Sequence, residues 1–263
     1  MITCKELAQT IKDDIKKQVA AVHPKPSLAI ITVGDDPASA AYVRGKIRDC
    51  EEVGVAPVHI KLDEDVTQAY LESIIIEAHY ASGIILQLPV PKHLNAKAAL
   101  ECIDPAKDVD GLTTTSPFTP CTAKGIYNWL SSNWDLDGKN VVIINRSQLV
   151  GRPLAKLLLD ANATVMVCHS HTRDLFTKHV PNADIVVVGV GKAGFLNTCY
   201  CKPGAIIVDV GINNINGKLF GDVESTSHNQ RVTVTPVPGG VGLLTRACLL
   251  QNVMEAYNLY HTK

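Results

Sequence analysis

The chain has 263 residues, 46% of them hydrophobic and 19% charged, a composition typical of a globular protein of one or two domains. Its net charge of −1 argues against nucleic-acid binding, and no apolar run approaches the ~18 residues that span a bilayer. The eight cysteines contain no CxxC pair, and the nine histidines show no metal-ligand spacing. We therefore expect a cytoplasmic protein that binds no metal, nucleic acid or membrane.

Predicted strands and helices alternate in the first half of the chain. After an amphipathic first helix, apolar strands are predicted at residues 27–33, near 58–62 and at 83–88, with helices between them. This order is typical of a parallel sheet covered by helices. The first domain is expected to end near residue 118.

The helix after the first strand carries two candidate functional residues. Asp36 is a suitable N-cap, and Gly54 is a suitable stop. Tyr42 and Lys46 are four residues apart, so their side chains share one helix face. Such a pair can stack a flat ligand on the ring while the amine handles a proton. A packed ring beside a lysine that reaches water is the alternative interpretation.

Further polar candidates follow the third predicted strand. Gln87 stands at its carboxyl end, where open α/β sheets bind ligands, and its amide could bond to Lys46, a ligand or the backbone. Asp108 and Asp110 are two residues apart, so in an extended segment they point the same way. They could bind a metal, act as a base, or recognise a ring with adjacent N–H donors. Capping of a turn is the alternative.

A second alternation begins after a helix that follows Thr119. Strands are predicted at residues 140–144, 164–168, 185–190 and 205–210, with a helix at 153–161 after the first of them.

The last part of the chain contains turn signals and one more helix. Asn216-Gly217 predicts a hairpin turn, and residues 236–242 predict a loop. A final helix is expected at residues 243–257.

The segment between strand 140–144 and the next helix is a candidate dinucleotide loop. It lacks the GxGxxG pattern, because Gly151 alone remains and Asn145, which tolerates positive φ, occupies the first glycine position. Arg146 can pair with a 2′-phosphate. Ser170, after the following strand, offers no carboxylate to a ribose diol. Both residues favour NADP over NAD, and ordinary loop polarity is the alternative.

Ten ordered motifs run from about residue 27 to residue 250: VGDDPAS, YVRGK, GIILQLPVPKHL, IDPAKDVDG, PCTAKGI, INRSQLVGRPLAKLLL, ATVMVCHSHT, GAIIVDVGIN, GDV and TPVPGGVG. Together they resemble the bifunctional methylenetetrahydrofolate dehydrogenase–cyclohydrolase family. The resemblance implies an α/β protein with two lobes and a cleft between them. Residues 1–118, with a C-terminal helix at about 246–263, would form the folate-binding catalytic domain. Residues 119–245 would form a Rossmann-like NADP-binding domain.

The resemblance also implies the chemistry and the roles of the first-lobe residues. NADP+ oxidises 5,10-methylenetetrahydrofolate to the 5,10-methenyl cation, which is then hydrolysed to 10-formyltetrahydrofolate. Lys46 is the principal catalytic group, Tyr42 stacks on the aminobenzoyl ring, and Gln87 helps to set the protonation state of Lys46. Asp110 binds the pterin ring, and Asp108 supports its loop.

The remaining implied site residues belong to two sets. The substrate-binding set is completed by Leu88, Pro238, Gly239 and Gly242, in part through closure of the 236–242 loop over the cleft. The cofactor-binding set comprises Asn145, Arg146, Ser147, Val150, Gly151, Ser170, Gly189, Gly191 and Ile212. The family further implies a homodimer, which could use the edge strand of the second lobe, and needs no metal.

Two departures from the family pattern touch these sets. The family usually has Gly where this chain has Asn145, and Pro-Met-Thr where it has Leu243-Leu244-Thr245. A shikimate-dehydrogenase-like NADP oxidoreductase is one alternative, but Tyr42, Asp110 and the PVPGGVG motif at residues 236–242 argue against it. A non-catalytic folate or nucleotide sensor is another, although it would need a broken proton-transfer site.

Overall fold

The computed structural model describes residues 1–224 and 232–261, which form two compact units. We call Ala8–Cys121 with Arg246–Lys263 the first domain, and Met1–Leu7 with Thr122–Thr245 the second domain. The sequence prediction placed residues 1–7 in the first domain. They cluster with the second because the Ile2 amide donates to Asn133 Oδ1 at 2.6 Å, and Trp129 Nε1 donates to the Ile2 carbonyl at 3.0 Å.

The first domain is built on a parallel three-stranded sheet in the order β2-β1-β3. Its elements are α1 (Cys4–Ala20, which begins in the second domain), β1 (Ser27–Val33), α2 (Pro37–Val53), β2 (Ala56–Leu62), α3 (Gln68–Glu77), β3 (Gly83–Leu86) and α4 (Ala96–Leu100). The central strand β1 is apolar because helices cover both of its faces, and Leu28 to Ile31 are fully buried. The predicted parallel sheet is confirmed.

Helix α2 begins and ends where its sequence predicts. The Asp36 carboxylate accepts a hydrogen bond from the Ser39 amide at 2.7 Å, and Gly54 closes the helix with φ of 86°. Val43 and Cys50 face the core. These ends set the rotation of the helix, and therefore which face carries Tyr42 and Lys46.

The segment after α4 is held by the C-terminal helix of the chain. Asn252, on α7 (Val241–His261), is buried, and its Nδ2 donates to the carbonyl oxygens of Val109 at 2.8 Å and Thr119 at 3.2 Å. These bonds satisfy two buried backbone acceptors. They position the loop that carries Asp108 and Asp110.

The second domain contains a parallel five-stranded sheet in the order β10-β7-β6-β4-β5. Its elements are α5 (Cys121–Asn133, which begins in the first domain), β4 (Asn140–Ile144), α6 (Gly151–Asp160), β5 (Thr164–Cys168), β6 (Ile185–Val188), β7 (Ile206–Asp209), β8 (Asn213–Ile215), β9 (Lys218–Phe220) and β10 (Thr233–Val234). The chain order reverses between β4 and β6, where open α/β sheets bind ligands. The predicted Rossmann-like α/β architecture is confirmed.

Two local features of the second domain bear on the sequence predictions. Strands β8 and β9 form an antiparallel hairpin whose turn residues, Asn216 and Gly217, have φ of 53° and 79°, so the predicted hairpin is confirmed. Residues 236–242 are not wholly a loop, because α7 begins at Val241 and includes Gly242. Within the part of the chain that the structure describes, no helix is both long and apolar enough to cross a membrane.

Candidate active site and nucleotide-binding edge

The side chain of Lys46 is buried at the carboxyl-terminal edge of the first-domain sheet, with an exposed fraction of 4%. Its Nζ donates to Gln87 Oε1 at 3.1 Å and lies 3.8 Å from Asp110 Oδ2. An amine removed from water needs such partners. The interpretation of Lys46 as a lysine that reaches water is therefore wrong.

Gln87 is oriented by a second hydrogen bond of its side chain. Its backbone amide donates to the Ile31 carbonyl at 2.8 Å, which continues the pairing of β3 with β1. Its Nε2 donates to the Leu88 carbonyl at 2.8 Å. Because the amide nitrogen is held there, the amide oxygen faces Lys46.

Tyr42 lies beside the same amine. The centroid of its ring is 5.2 Å from Lys46 Nζ, within the range of a cation–π contact. The ring is half-buried, so part of its surface remains accessible. The structure therefore brings together Tyr42, Lys46, Gln87 and Asp110, which the sequence places on three separate segments.

Asp108 and Asp110 have different environments. The sequence interpretation assumed an extended segment, whereas Val109 and Asp110 lie in a turn that the Gly111 amide closes on the Asp108 carbonyl at 3.0 Å. The fully buried Asp108 carboxylate accepts hydrogen bonds from the backbone amides of Gly111 and Thr113, at 3.2 and 2.7 Å. Burial raises the pKa of this carboxyl group. Asp108 thus caps the loop, and Asp110 is the carboxylate that faces Lys46.

The candidate nucleotide loop of the second domain is organised by the side chain of Asn145. Its Oδ1 accepts hydrogen bonds from the Ser147 amide at 2.8 Å, the Ser147 hydroxyl at 2.7 Å and the Gly151 amide at 3.1 Å. Its Nδ2 donates to the Gly189 carbonyl, across the point where strand order reverses. Asn145 does not adopt the positive φ that asparagine tolerates. The side chain, rather than an unusual backbone, shapes the loop.

Close packing at the start of α6 explains the retained glycine. A Cβ added to Gly151 would lie 2.0 Å from the Asn145 carbonyl oxygen. The buried Val150 precedes it, and the Val150 amide donates to the Ser147 hydroxyl at 3.1 Å. Only glycine allows the helix to begin this close to β4.

Cationic side chains surround a depression beside this loop. Exposed Arg146 and Arg152 line it with His169 and with Lys156, which pairs with Asp160 at 2.7 Å. This donor set fits the phosphate groups of a nucleotide. Arg152 and His169 were missed by the sequence analysis. Their positions could have indicated them, because Arg152 lies in the first turn of α6 and His169 directly follows β5. Ser170 is exposed in the turn after His169.

The remaining predicted residues are distributed as follows. Gly189 and Gly191 follow β6, with Gly191 at φ of 68°, and the exposed Ile212 follows β7. Leu88 precedes a cis proline in the first domain. In the second domain, Pro238 is a cis proline, Gly239 has φ of 100° and Gly242 lies in the first turn of α7. The substrate contacts predicted for the last three stay predictions.

Two family models match the chain. The catalytic domain of tetrahydrofolate dehydrogenase/cyclohydrolase matches residues 2–110, and the NAD(P)-binding domain of the same family matches residues 120–261. The bifunctional protein FolD of Agathobacter rectalis is 43% identical over 275 residues, covering 97% of this chain and 98% of that protein. FolD of Bacillus subtilis is 42% identical over 274 residues, with coverages of 97% and 96%.

Solved structures agree with these matches. The bifunctional FolD enzyme of Campylobacter jejuni superimposes with a TM-score of 0.91 at 39% identity, covering 97% of this chain and 98% of that one. FolD of Trypanosoma brucei, solved with NADP and an inhibitor, gives 0.92 at 32% identity, with coverages of 98% and 97%. Shikimate 5-dehydrogenase of Thermus thermophilus gives 0.56 at 16% identity, with coverages of 90% and 94%, a likeness of fold alone.

Fold and site together define a two-domain folate enzyme with one catalytic and one nucleotide-binding domain. The chain belongs to the tetrahydrofolate dehydrogenase/cyclohydrolase family. Its activities are those of a bifunctional NADP-dependent methylenetetrahydrofolate dehydrogenase and methenyltetrahydrofolate cyclohydrolase in one-carbon metabolism. The shikimate-dehydrogenase-like alternative and the sensor alternative are not favoured.

Replacement of Asn145 by alanine tests whether its side chain shapes the nucleotide loop. We expect the KM for NADP+ to rise about tenfold, because the amides of Ser147 and Gly151 lose their shared acceptor. Hydrolysis of the methenyl substrate, which uses no nucleotide, should change less than about twofold. Gln148→Ala, on an exposed residue of the same loop, is the control. An unchanged KM for NADP+ would show that the loop holds its form without the Asn145 amide.

Proposed function

We propose that a single site around Lys46 serves both reactions of the chain, the oxidation of 5,10-methylenetetrahydrofolate and the hydrolysis of its 5,10-methenyl product. The observation that carries this proposal is the buried Lys46 amine, bonded to Gln87 at 3.1 Å and 3.8 Å from Asp110. Beside it, the ring of Tyr42 offers a surface on which the aminobenzoyl group can stack.

In the oxidation, the residues of the first domain bind and orient the folate. The Asp110 carboxylate can accept hydrogen bonds from the adjacent N–H groups of the pterin ring. Stacking of the aminobenzoyl ring on Tyr42 fixes the other end of the folate. The one-carbon bridge between the two rings then lies near Lys46. Bound NADP+ would supply the acceptor for the hydride that this bridge loses in becoming the methenyl cation.

In the hydrolysis, the buried Lys46 amine is placed to move protons. Water adds to the methenyl carbon, and its proton passes to the lysine nitrogen. The bond from this carbon to N5 then breaks, N5 takes the proton held by Lys46, and the added hydroxyl group releases its own proton to solvent as it becomes the formyl carbonyl of 10-formyltetrahydrofolate. Gln87 Oε1 accepts one N–H of the amine and Asp110 Oδ2 lies 3.8 Å from its nitrogen, which leaves one position on the nitrogen for the proton that is transferred.

We infer that the nucleotide lies on the second domain along the Asn145–Gly151 loop. Arg146 would pair with the 2′-phosphate, with Ser170 nearby, and Arg152 adds a second cation on the same depression. Val150, Ser147, Gly189, Gly191 and Ile212 complete the proposed contacts. Because these residues belong to the hydride step, their loss should spare the hydrolysis.

We further propose that the chain is a homodimer of the cytoplasm. All eight cysteines are free, which fits a reducing compartment. Strand β5 is an edge of the five-stranded sheet, and Met166 and Val167 on it are exposed. A second copy of the chain would cover this edge, as exposed apolar strand edges otherwise promote aggregation.

Lys46→Ala tests the shared site. We expect hydrolysis of methenyltetrahydrofolate to fall about 10²- to 10⁴-fold, because the proton-transfer group is lost. The assay follows methenyl absorbance, and the same coupled assay with methylenetetrahydrofolate and NADP+ or NAD+ measures the oxidation. Lys46→Met keeps the length of the side chain, and Arg48→Ala, an exposed cation on α2, is the control. Hydrolysis near the wild-type rate in folded Lys46→Ala would refute the assignment.

Arg146→Ala tests the choice of nucleotide. We expect the Kd for NADP+ to rise about 10- to 100-fold, because a charge-assisted pair with the 2′-phosphate is lost. The Kd for NAD+, which lacks that phosphate, should change less than about threefold. Arg173→Ala, an exposed arginine of the same domain, is the control. Equal losses for both nucleotides would exclude a 2′-phosphate role for Arg146.

Met166→Lys tests the dimer. Met166 has an exposed fraction of 43% on β5, and a charge there should prevent a second copy from covering the strand. We expect light scattering after gel filtration to give the 28.3 kDa monomer mass for this variant and twice that mass for the wild type. Leu259→Lys, on an exposed apolar residue of α7, is the control and should remain dimeric. A dimeric Met166→Lys variant would move the interface elsewhere.

A further inference from the structure

The carboxylate of Asp222 is completely buried at the carboxyl-terminal edge of the second-domain sheet. It accepts hydrogen bonds from three consecutive backbone amides of the loop after β6, those of Val190 at 2.5 Å, Gly191 at 2.9 Å and Lys192 at 2.9 Å. The side-chain amide of Asn213 donates a fourth bond at 2.9 Å. The negative charge is thus balanced by N–H donors that converge on it.

A second buried carboxylate holds the backbone of Asp222 in place. Asp209, at the end of β7, accepts hydrogen bonds through Oδ1 from the amides of Gly211 and Asp222, both at 2.9 Å. Its Oδ2 accepts from the Val223 amide at 2.9 Å. Burial raises the pKa of Asp209. The end of β7 is therefore linked to the loop after β6: Asp209 binds the Asp222 amide, and the Asp222 carboxylate binds the amides of that loop.

Two glycines make room for these carboxylates. A Cβ added to Gly211 would lie 2.3 Å from Asp222 Oδ1, and one added to Gly221 would lie 1.9 Å from Asp209 Oδ2. Neither glycine has a φ in the left-handed region, so the packing rather than the backbone conformation requires them. The motifs DVGIN and GDV therefore encode one interlocked unit, although 12 residues separate Asp209 from Asp222.

This unit braces two of the segments that the sequence analysis assigned to the cofactor. Gly191 belongs to the loop whose amides bond to Asp222. Ile212, with an exposed fraction of 59%, lies between Gly211 and Asn213, each of which bonds to one of the carboxylates. The amide groups of the loop after β6 face inward to the carboxylate, so they fix the loop without being available to a ligand.

We propose that Asp222 is a positioning residue for NADP. It holds the loop after β6 and the segment after β7 in the arrangement that accepts the nucleotide, and it does not touch the reacting atoms. The inference rests on the proposed cofactor role of Gly191 and Ile212. Asp222 lies in the second domain and Lys46 in the first, so nucleotide binding and methenyl hydrolysis report on different domains.

The principal test is Asp222→Asn, which keeps the size of the side chain. Each carboxylate oxygen accepts two N–H bonds, so an amide placed there in either orientation turns its NH₂ group toward donors. We expect the Kd for NADP+, measured by fluorescence titration, and the KM for NADP+ to rise about tenfold or more. The rate of methenyl hydrolysis without nucleotide should stay within about twofold of wild type.

Gly211→Ala is the second variant, because it displaces the Asp222 carboxylate and leaves its charge intact. It should reproduce the loss of NADP+ affinity if position, rather than charge, is what Asp222 provides. Lys218→Ala is the matched control. Lys218 is an exposed residue of β9, and it is not among the hydrogen-bond donors to Asp209 or Asp222 in the part of the chain that the structure describes. Thermal unfolding of every variant checks that both domains fold.

The outcomes separate this inference from the proposed function. If wild-type protein binds NADP+ and Asp222→Asn binds it equally well, Asp222 has no positioning role. If both activities and the unfolding temperature fall together, in Asp222→Asn and in Gly211→Ala alike, the unit is merely structural and the inference is overturned. If wild-type protein fails to bind NADP+, the proposed cofactor site itself is wrong.

Discussion

The hydrogen bond from Lys46 to Gln87 is the interaction on which the chemistry proposed for the first domain depends. A buried amine is tolerated only with partners. Here the partners come from the ends of different elements: the amide oxygen after β3, the Asp110 carboxylate in the loop held by α7, and the ring of Tyr42 one turn away on α2. The Asp36 and Gly54 caps, the β1–β3 register and the Asn252 contacts all serve to place these few atoms.

In the second domain, polar side chains fix two loops by hydrogen bonds to backbone groups. The usual glycine-rich loop exposes amides by removing side chains, whereas here the Asn145 amide binds the amides of Ser147 and Gly151 and reaches across to Gly189. Asp222 does the same for the loop after β6. Both devices fix loops at the edge where the strand order reverses, which is where such sheets bind nucleotides.

Much of this organisation was accessible from sequence because periodicity and caps are local. The alternation of elements, the ends of α2, the hairpin at Asn216-Gly217 and the parallel sheets follow from residue patterns, and the ordered motifs identify the family. One interpretation failed for a tertiary reason. The segment from Asp108 to Asp110 is a turn rather than extended, because the Gly111 amide bonds back to the Asp108 carbonyl. Two other features do not follow from spacing: Ile2 bonds to Asn133 and Trp129, and the Asn145 side chain organises its loop.

The sequence by itself determined the architecture, the reaction class and the segments that carry polar groups, since hydrophobic period, turn chemistry and motif order are properties of neighbouring residues. Only the tertiary structure decided which polar groups meet. Lys46 and Gln87 are 41 residues apart, and Asn145 and Gly189 are 44 apart. The physical reason is that parallel strands bring distant carboxyl ends to one edge, where burial forces each polar atom to find a partner.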